Sequence, residues 1–148
     1  PEGEKYDFSK NLFPRLLEMG WPMYAQAING VWFDVGSPQE LIRAQNVLIE
    51  RRDELPFPLP KGARIEHGSF IHPSSSVDSS ARIHKSVVAQ DAVVGANVLL
   101  KQCVLMKGAC VEEGAHLEHC ILSPGAVVSG NVSAKDTILG DQERLENA

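Results

Sequence analysis

From Ile65 onward the chain repeats a pattern of aliphatic and polar positions. Aligning residues 77–93, 94–110, 111–127 and 128–144 gives a period of 17, built from strips of six, six and five residues. One aliphatic column is Val77, Val94, Val111 and Val128; a second is Ile83, Leu100, Leu117 and Ala134; a third is Val88, Leu105, Leu122 and Leu139. Two positions ahead of the aliphatic residues come smaller ones, such as Ala81, Val98, Ala115 and Val132, or Ser86, Cys103, Cys120 and Thr137. Three inward columns predict three walls, with small residues at the crowded corners of a solenoid whose coils contact only their neighbours. A long helix is disfavoured, because glycines recur through the segment at about 1 kcal/mol each in a helix interior.

The residues before the repeat carry mixed α/β signals. Pro14 suits a first helical turn and Gly20 a helix end. Met23–Ile28 and Val31–Val35 flank Asn29-Gly30, a pairing that predicts a β-hairpin with a tight turn. Ser37-Pro38-Gln39-Glu40 then supplies an N-cap, a proline at the first helical position and a capping-box glutamate, so a helix is expected to about Asp53, with Leu41, Ala44, Gln45 and Leu48 on its partly apolar face. In Leu55–Pro60 every second residue is proline, which removes backbone donors and favours an extended connection. The expected organisation is a small α/β unit over residues 1–55, a linker over 56–64 and a mainly β solenoid over 65–148.

Composition narrows the function classes. A formal charge of −5 and the lack of a Lys/Arg run speak against a surface that tracks nucleic-acid phosphates. No apolar stretch approaches the roughly 20 residues needed to cross a bilayer, and no basic-then-apolar leader opens the sequence, so neither a membrane partner nor export is expected and the cytoplasm is the expected compartment. Three cysteines without C-x-x-C spacing argue against a disulfide framework and a structural zinc site.

Two motifs carry a resemblance. Tyr6-Asp7-Phe8-Ser9-Lys10-Asn11-Leu12-Phe13-Pro14-Arg15-Leu16-Leu17 and Gly30-Val31-Trp32-Phe33-Asp34-Val35-Gly36-Ser37-Pro38, followed by a proline-rich linker and hexapeptide repeats, resemble the end of the catalytic domain and the C-terminal domain of sugar-1-phosphate nucleotidyltransferases, particularly the mannose-1-phosphate guanylyltransferases and the glucose-1-phosphate nucleotidyltransferases. The resemblance implies a left-handed parallel β-helix for the repeats. It also implies an enzyme that makes a nucleotide sugar from an NTP and a sugar 1-phosphate, with Asp34 among the ligands of Mg²⁺. A hard cation held by oxygen ligands suits the neutralisation of triphosphate charge; the other reading of Asp34 is a plain turn cap. The family's N-terminal half carries a glycine-rich nucleotide loop, an activating basic residue and a second metal-binding aspartate. None of these is found here, so no catalytic or nucleotide-binding residue is assigned and the chain alone is expected to be inactive. The alternatives are a non-catalytic hexapeptide-repeat oligomerisation module, in which the β-helix serves assembly, and a β-helix acyltransferase.

The remaining candidates are weaker. His84 shares a column with Lys101, Glu118 and Lys135, and His119 shares one with Lys85, Gln102 and Asp136; both columns are outward, so solvated surface is the expected role. Cys103 and Cys120 share an inward column one coil apart, about 4.8 Å between backbones, where side-by-side projection makes a disulfide strained and a small core residue the better reading. Val87, Val104, Ile121 and Ile138 form an outward aliphatic column, with Val93, Cys110 and Val127 beside it. Such a contiguous apolar surface predicts self-association through Val87, Val104, Cys110, Ile121 and Ile138, unless residues 7–55 fold back to cover it.

Overall fold

The computed structural model describes residues 3–147 and shows a parallel β-solenoid preceded by short helices. Two compact units are present, one ending at Trp32 and the other starting at Phe33.

In the first unit, Asp7 Oδ1 accepts hydrogen bonds from the Ser9 and Lys10 backbone N–H groups (2.9 and 2.8 Å) and from the Ser9 hydroxyl (2.7 Å), opening a wide helical turn over Phe8–Leu12. The Ser9 hydroxyl and then the Lys10 amide hold the Asp7 carboxyl below the usual carboxylate range. Helix α1 (Phe13–Glu18) follows with Pro14 in its first turn. It closes at Gly20 (φ 69°), where the Gly20 and Trp21 N–H groups donate to Leu17 O and Leu16 O. The expected hairpin is absent: neither 23–28 nor 31–35 forms a strand, and Tyr24, Ile28 and Trp32 stay exposed. An isolated two-stranded ribbon is marginal in water without a third strand or a packing partner, and this turn sequence has neither.

Helix α2 (Pro38–Glu50) starts where the sequence places it, with Ser37 Oγ accepting from Glu40 N at 3.2 Å. The Glu40 carboxylate pairs with Arg43. The helix ends three residues early, and Arg52–Glu54 tightens into a 3₁₀ turn. Its buried face is also shifted: Ile42, Ala44 and Ile49 are buried, whereas Leu48 is exposed.

The solenoid has walls of six, five and four strands. The first wall stacks Ser69–Ile71, Val87–Val88, Val104–Leu105, Ile121–Leu122 and Ile138–Leu139; all of these pair in parallel, in the 17-residue register. The same register aligns Val77, Val94, Val111 and Val128 on the second wall and Ile83, Leu100, Leu117 and Ala134 on the third. All three aliphatic columns therefore meet in one core. Corner residues recur at positive φ, as in Lys85, Gln102, His119 and Asp136 (46–53°). At one position close packing requires glycine, since a Cβ on Gly95 would lie 2.8 Å from the backbone nitrogen of Glu113 in the next coil.

Entry into the solenoid is a reversal. Strand β1 (Arg64–Glu66) pairs antiparallel with β2 (Ser69–Ile71) through His67 and Gly68, both at positive φ, before the parallel coils begin.

The outward column of the first wall is not open, which corrects the expected association surface. Val104 (3% exposed) and Ile121 (5%) are buried in a cluster with Ile42 of α2, flanked by Leu41 and Met106. Val87 and Cys110 are half-buried, and of the five residues expected at the interface only Ile138 is exposed. The helix removes this surface from water within the same chain, at about 1.5–3 kcal/mol for each side chain fully covered. Among the described residues no helix is long and apolar enough to cross a membrane.

Candidate functional site

Asp34, the residue singled out for metal binding, lies on the extended stretch just before α2. Its carbonyl accepts from Gly36 N at 2.9 Å, and its carboxylate is exposed with no side-chain partner among the described residues. The helix cap is Ser37, so the carboxylate is not used as the cap. As an exposed hard oxygen donor Asp34 fits a place in a Mg²⁺ ligand set, but only one place. Among the described residues no group of three or more His, Cys, Asp or Glu side chains is arranged to hold a metal ion.

The polar groups that do converge lie on the solenoid. At the corner leading into the first wall, His119 Nε2 lies 2.7 Å from Gln102 Oε1, and Nδ1 lies 3.2 Å from Asp136 Oδ1. The doubly protonated ring donates to both. The neutral ring donates from Nδ1 to Asp136 and accepts from the Gln102 amide once that group is turned. The column was expected to be plain solvated surface. Instead His119 and Gln102 are half-buried, and with Asp136 they form one side of a cleft of about 450 Å³ whose other side is α2. The signal in the sequence was the shared column; what was missing was the helix above it.

On the third wall Glu118 accepts from Lys101 Nζ (3.1 Å) and lies 3.5 Å from Lys135 Nζ. The Lys101 hydrogen bond holds its carboxyl below the usual range. The two lysines are exposed and Glu118 half-buried, and such surface ion pairs contribute little stability. Cys103 and Cys120 are free and buried, with their thiols donating to Lys101 O and Glu118 O at 3.3 Å. The contact with Cys120 and then burial push the Cys103 thiol up, which makes it an inert core residue.

Residues 65–148 match the family model of the GMPPB C-terminal domain. The chain belongs to this family. Among curated proteins it is similar to the glucose-1-phosphate adenylyltransferase of Desulfitobacterium hafniense strain Y51, at 31% identity over 137 residues, covering 92% of this chain and 33% of that protein. The corresponding enzyme of Acetivibrio thermocellus is 28% identical over 138 residues, 93% of this chain and 28% of that protein. That of Clostridioides difficile strain 630 is 35% identical over 89 residues, 60% of this chain and 23% of that protein. The chain thus spans about a quarter to a third of the length of these relatives. Among solved structures, the acetyltransferase domain of PglB from Neisseria gonorrhoeae aligns with a TM-score of 0.38 at 22% identity, covering 74% of this chain and 64% of that domain. The resemblance read from the two motifs and the repeat is therefore to the right family, and the repeat is a β-helix.

Proposed function

We propose that this chain is the C-terminal part of a sugar-1-phosphate nucleotidyltransferase that joins an NTP and a sugar 1-phosphate into a nucleotide sugar, releasing pyrophosphate. The observation that carries the reading is continuity. The similarity to glucose-1-phosphate adenylyltransferases runs through both units and the proline-rich connection, not through the repeat alone. A free-standing β-helix module would have no reason to carry the Asp34 segment. In this reading Asp34 supplies one Mg²⁺ ligand, while the nucleotide cradle and the remaining ligands come from a part of the enzyme outside this sequence. The exposed Phe8, Trp21, Tyr24 and Trp32 side chains are then surface meant for that part. The β-helix serves assembly or regulation. With the first wall covered by α2, the row Val93, Cys110 and Val127, exposed or half-exposed, is the aliphatic surface left for self-association.

The chain alone should release no pyrophosphate from any NTP and sugar 1-phosphate. In a longer protein carrying a glycine-rich nucleotide loop, Asp34→Asn should lower turnover by at least about 100-fold, beyond the 10–100-fold typical of losing a group that merely supports a metal ligand. The folded fraction should be unchanged, because the carboxylate holds no structural contact. Equal turnover in mutant and parent would remove Asp34 from the metal site.

A further inference from the structure

The cleft between α2 and the solenoid has the build of a small-molecule site that the proposed nucleotidyl transfer does not use. Its volume of about 450 Å³ falls within the roughly 300–1,000 Å³ of ligand pockets. Gln102, His119 and Asp136 are held in place from behind: their backbone N–H groups donate to His84 O, Lys101 O and Glu118 O at 2.9–3.0 Å. Their side chains are oriented by each other, so little ordering is left for a ligand to impose. Hydrogen-bonding capacity remains after these contacts, since the second Asp136 oxygen is not engaged within the ladder and the Gln102 amide has further sites. Facing them are aliphatic side chains, Ile42 and Val47 of α2 and Ile138 of the first wall, the last 53% exposed.

Charge decides the ligand class. Asp136 and Glu50 both line the cleft, against one permanently charged cation, Arg43, which bonds Glu40 at 3.2 Å through one of its terminal nitrogens and lies over the Phe33 ring at 5.4 Å; a protonated His119 ring faces Asp136 directly. A phosphate or carboxylate would meet two carboxylates against one permanent cation, so the cleft's balance of fixed charge is negative. A flat ring with N–H donors would meet acceptors on one edge and aliphatic surface on its faces. We infer that this cleft binds a neutral or monocationic aromatic amine or amidine, whose N–H edge is read by Asp136 and Gln102 and whose ring packs on Ile42, Val47 and Ile138. The inference rests on the solenoid and α2 alone, and stands or falls separately from the nucleotidyltransferase reading.

The test is an NMR titration of the full chain, labelled at the isoleucine methyl groups, with benzamidine, 2-aminobenzimidazole and, as the anionic ring of matched size, benzoate. Benzamidine or 2-aminobenzimidazole should shift the Ile42 and Ile138 methyl signals saturably at millimolar concentration, and benzoate should not. Asp136→Asn should weaken binding about tenfold or more, as expected for a charge-assisted hydrogen bond. Ile138→Trp should abolish it by filling the cleft from an outward position, and Arg82→Trp, exposed on the third wall, should leave it unchanged. The inference is overturned by no saturable shift with either nitrogen probe, by equal binding of benzoate, or by unaltered affinity in both Asp136→Asn and Ile138→Trp when their β-sheet signal is retained.

Discussion

Ser86 is 1% exposed in the inward column that also holds Cys103 and Cys120, and its hydroxyl works in two directions. It donates to His84 O at 2.8 Å and accepts from Cys103 N at 2.9 Å, while Ser86 N donates to Ser69 Oγ in the coil before. A small hydroxyl residue here fills a corner and satisfies a backbone N–H that the parallel ladder leaves over. Ser86→Ala removes that acceptor with almost no change of volume. It should cost about 1–3 kcal/mol, the price of an unsatisfied buried donor, read as a lower urea midpoint at constant slope. At this scale the repeat makes packing legible and leaves a side chain's surroundings open. That Cys103 and Cys120 are small, unbridged core residues followed from column position alone. That His119 is half-buried did not follow, because a column shows which way a side chain points and not what lies opposite.

The same limit operates on whole elements. The start of α2 was legible because Ser37, Pro38 and Glu40 act on the backbone locally, within one turn. Its buried face was misplaced toward Leu48, since an amphipathic stripe this weak is settled by its partners, and Val104 and Ile121, which cover Ile42, come from coils far along the chain. The hairpin over 23–35 failed for the opposite reason: local turn chemistry favoured it, and nothing nearby stabilised its strands. Ile121→Glu now tests the docking of α2 instead of an oligomer. A carboxylate placed beneath Ile42 would be buried without a partner, so the helix should lift away instead of enclosing it. Loss of helical circular dichroism and faster proteolysis over residues 37–63, with the β-sheet signal kept, is the expected result. Unchanged protection of α2 would show that it does not rest on this wall.

For the molecule as a whole, periodicity carries the design. Each coil is pinned to the next by parallel pairs offset by 17 residues on all three walls, so stability is close to a sum over neighbouring coils. Deleting residues 94–110 removes one full coil and leaves every remaining column in register. The shortened protein should fold, with a lower melting temperature. Deleting only 94–109 shifts all later residues by one and turns each inward aliphatic outward, so it should give an unfolded or aggregated product. Circular dichroism with thermal melts separates the two outcomes. The antiparallel entry strand β1 bears on a different matter, polymerisation. A solenoid end is a crystal face on which identical coils could keep growing, and head-to-tail addition by a repeating operation that does not close gives a filament. At the entry end the edge of the first wall is occupied by β1, which runs against the direction of every other strand and bears the charged, exposed Arg64 and Glu66. An incoming parallel coil finds the wrong polarity there, so growth from that end is terminated by strand direction before side-chain chemistry is consulted.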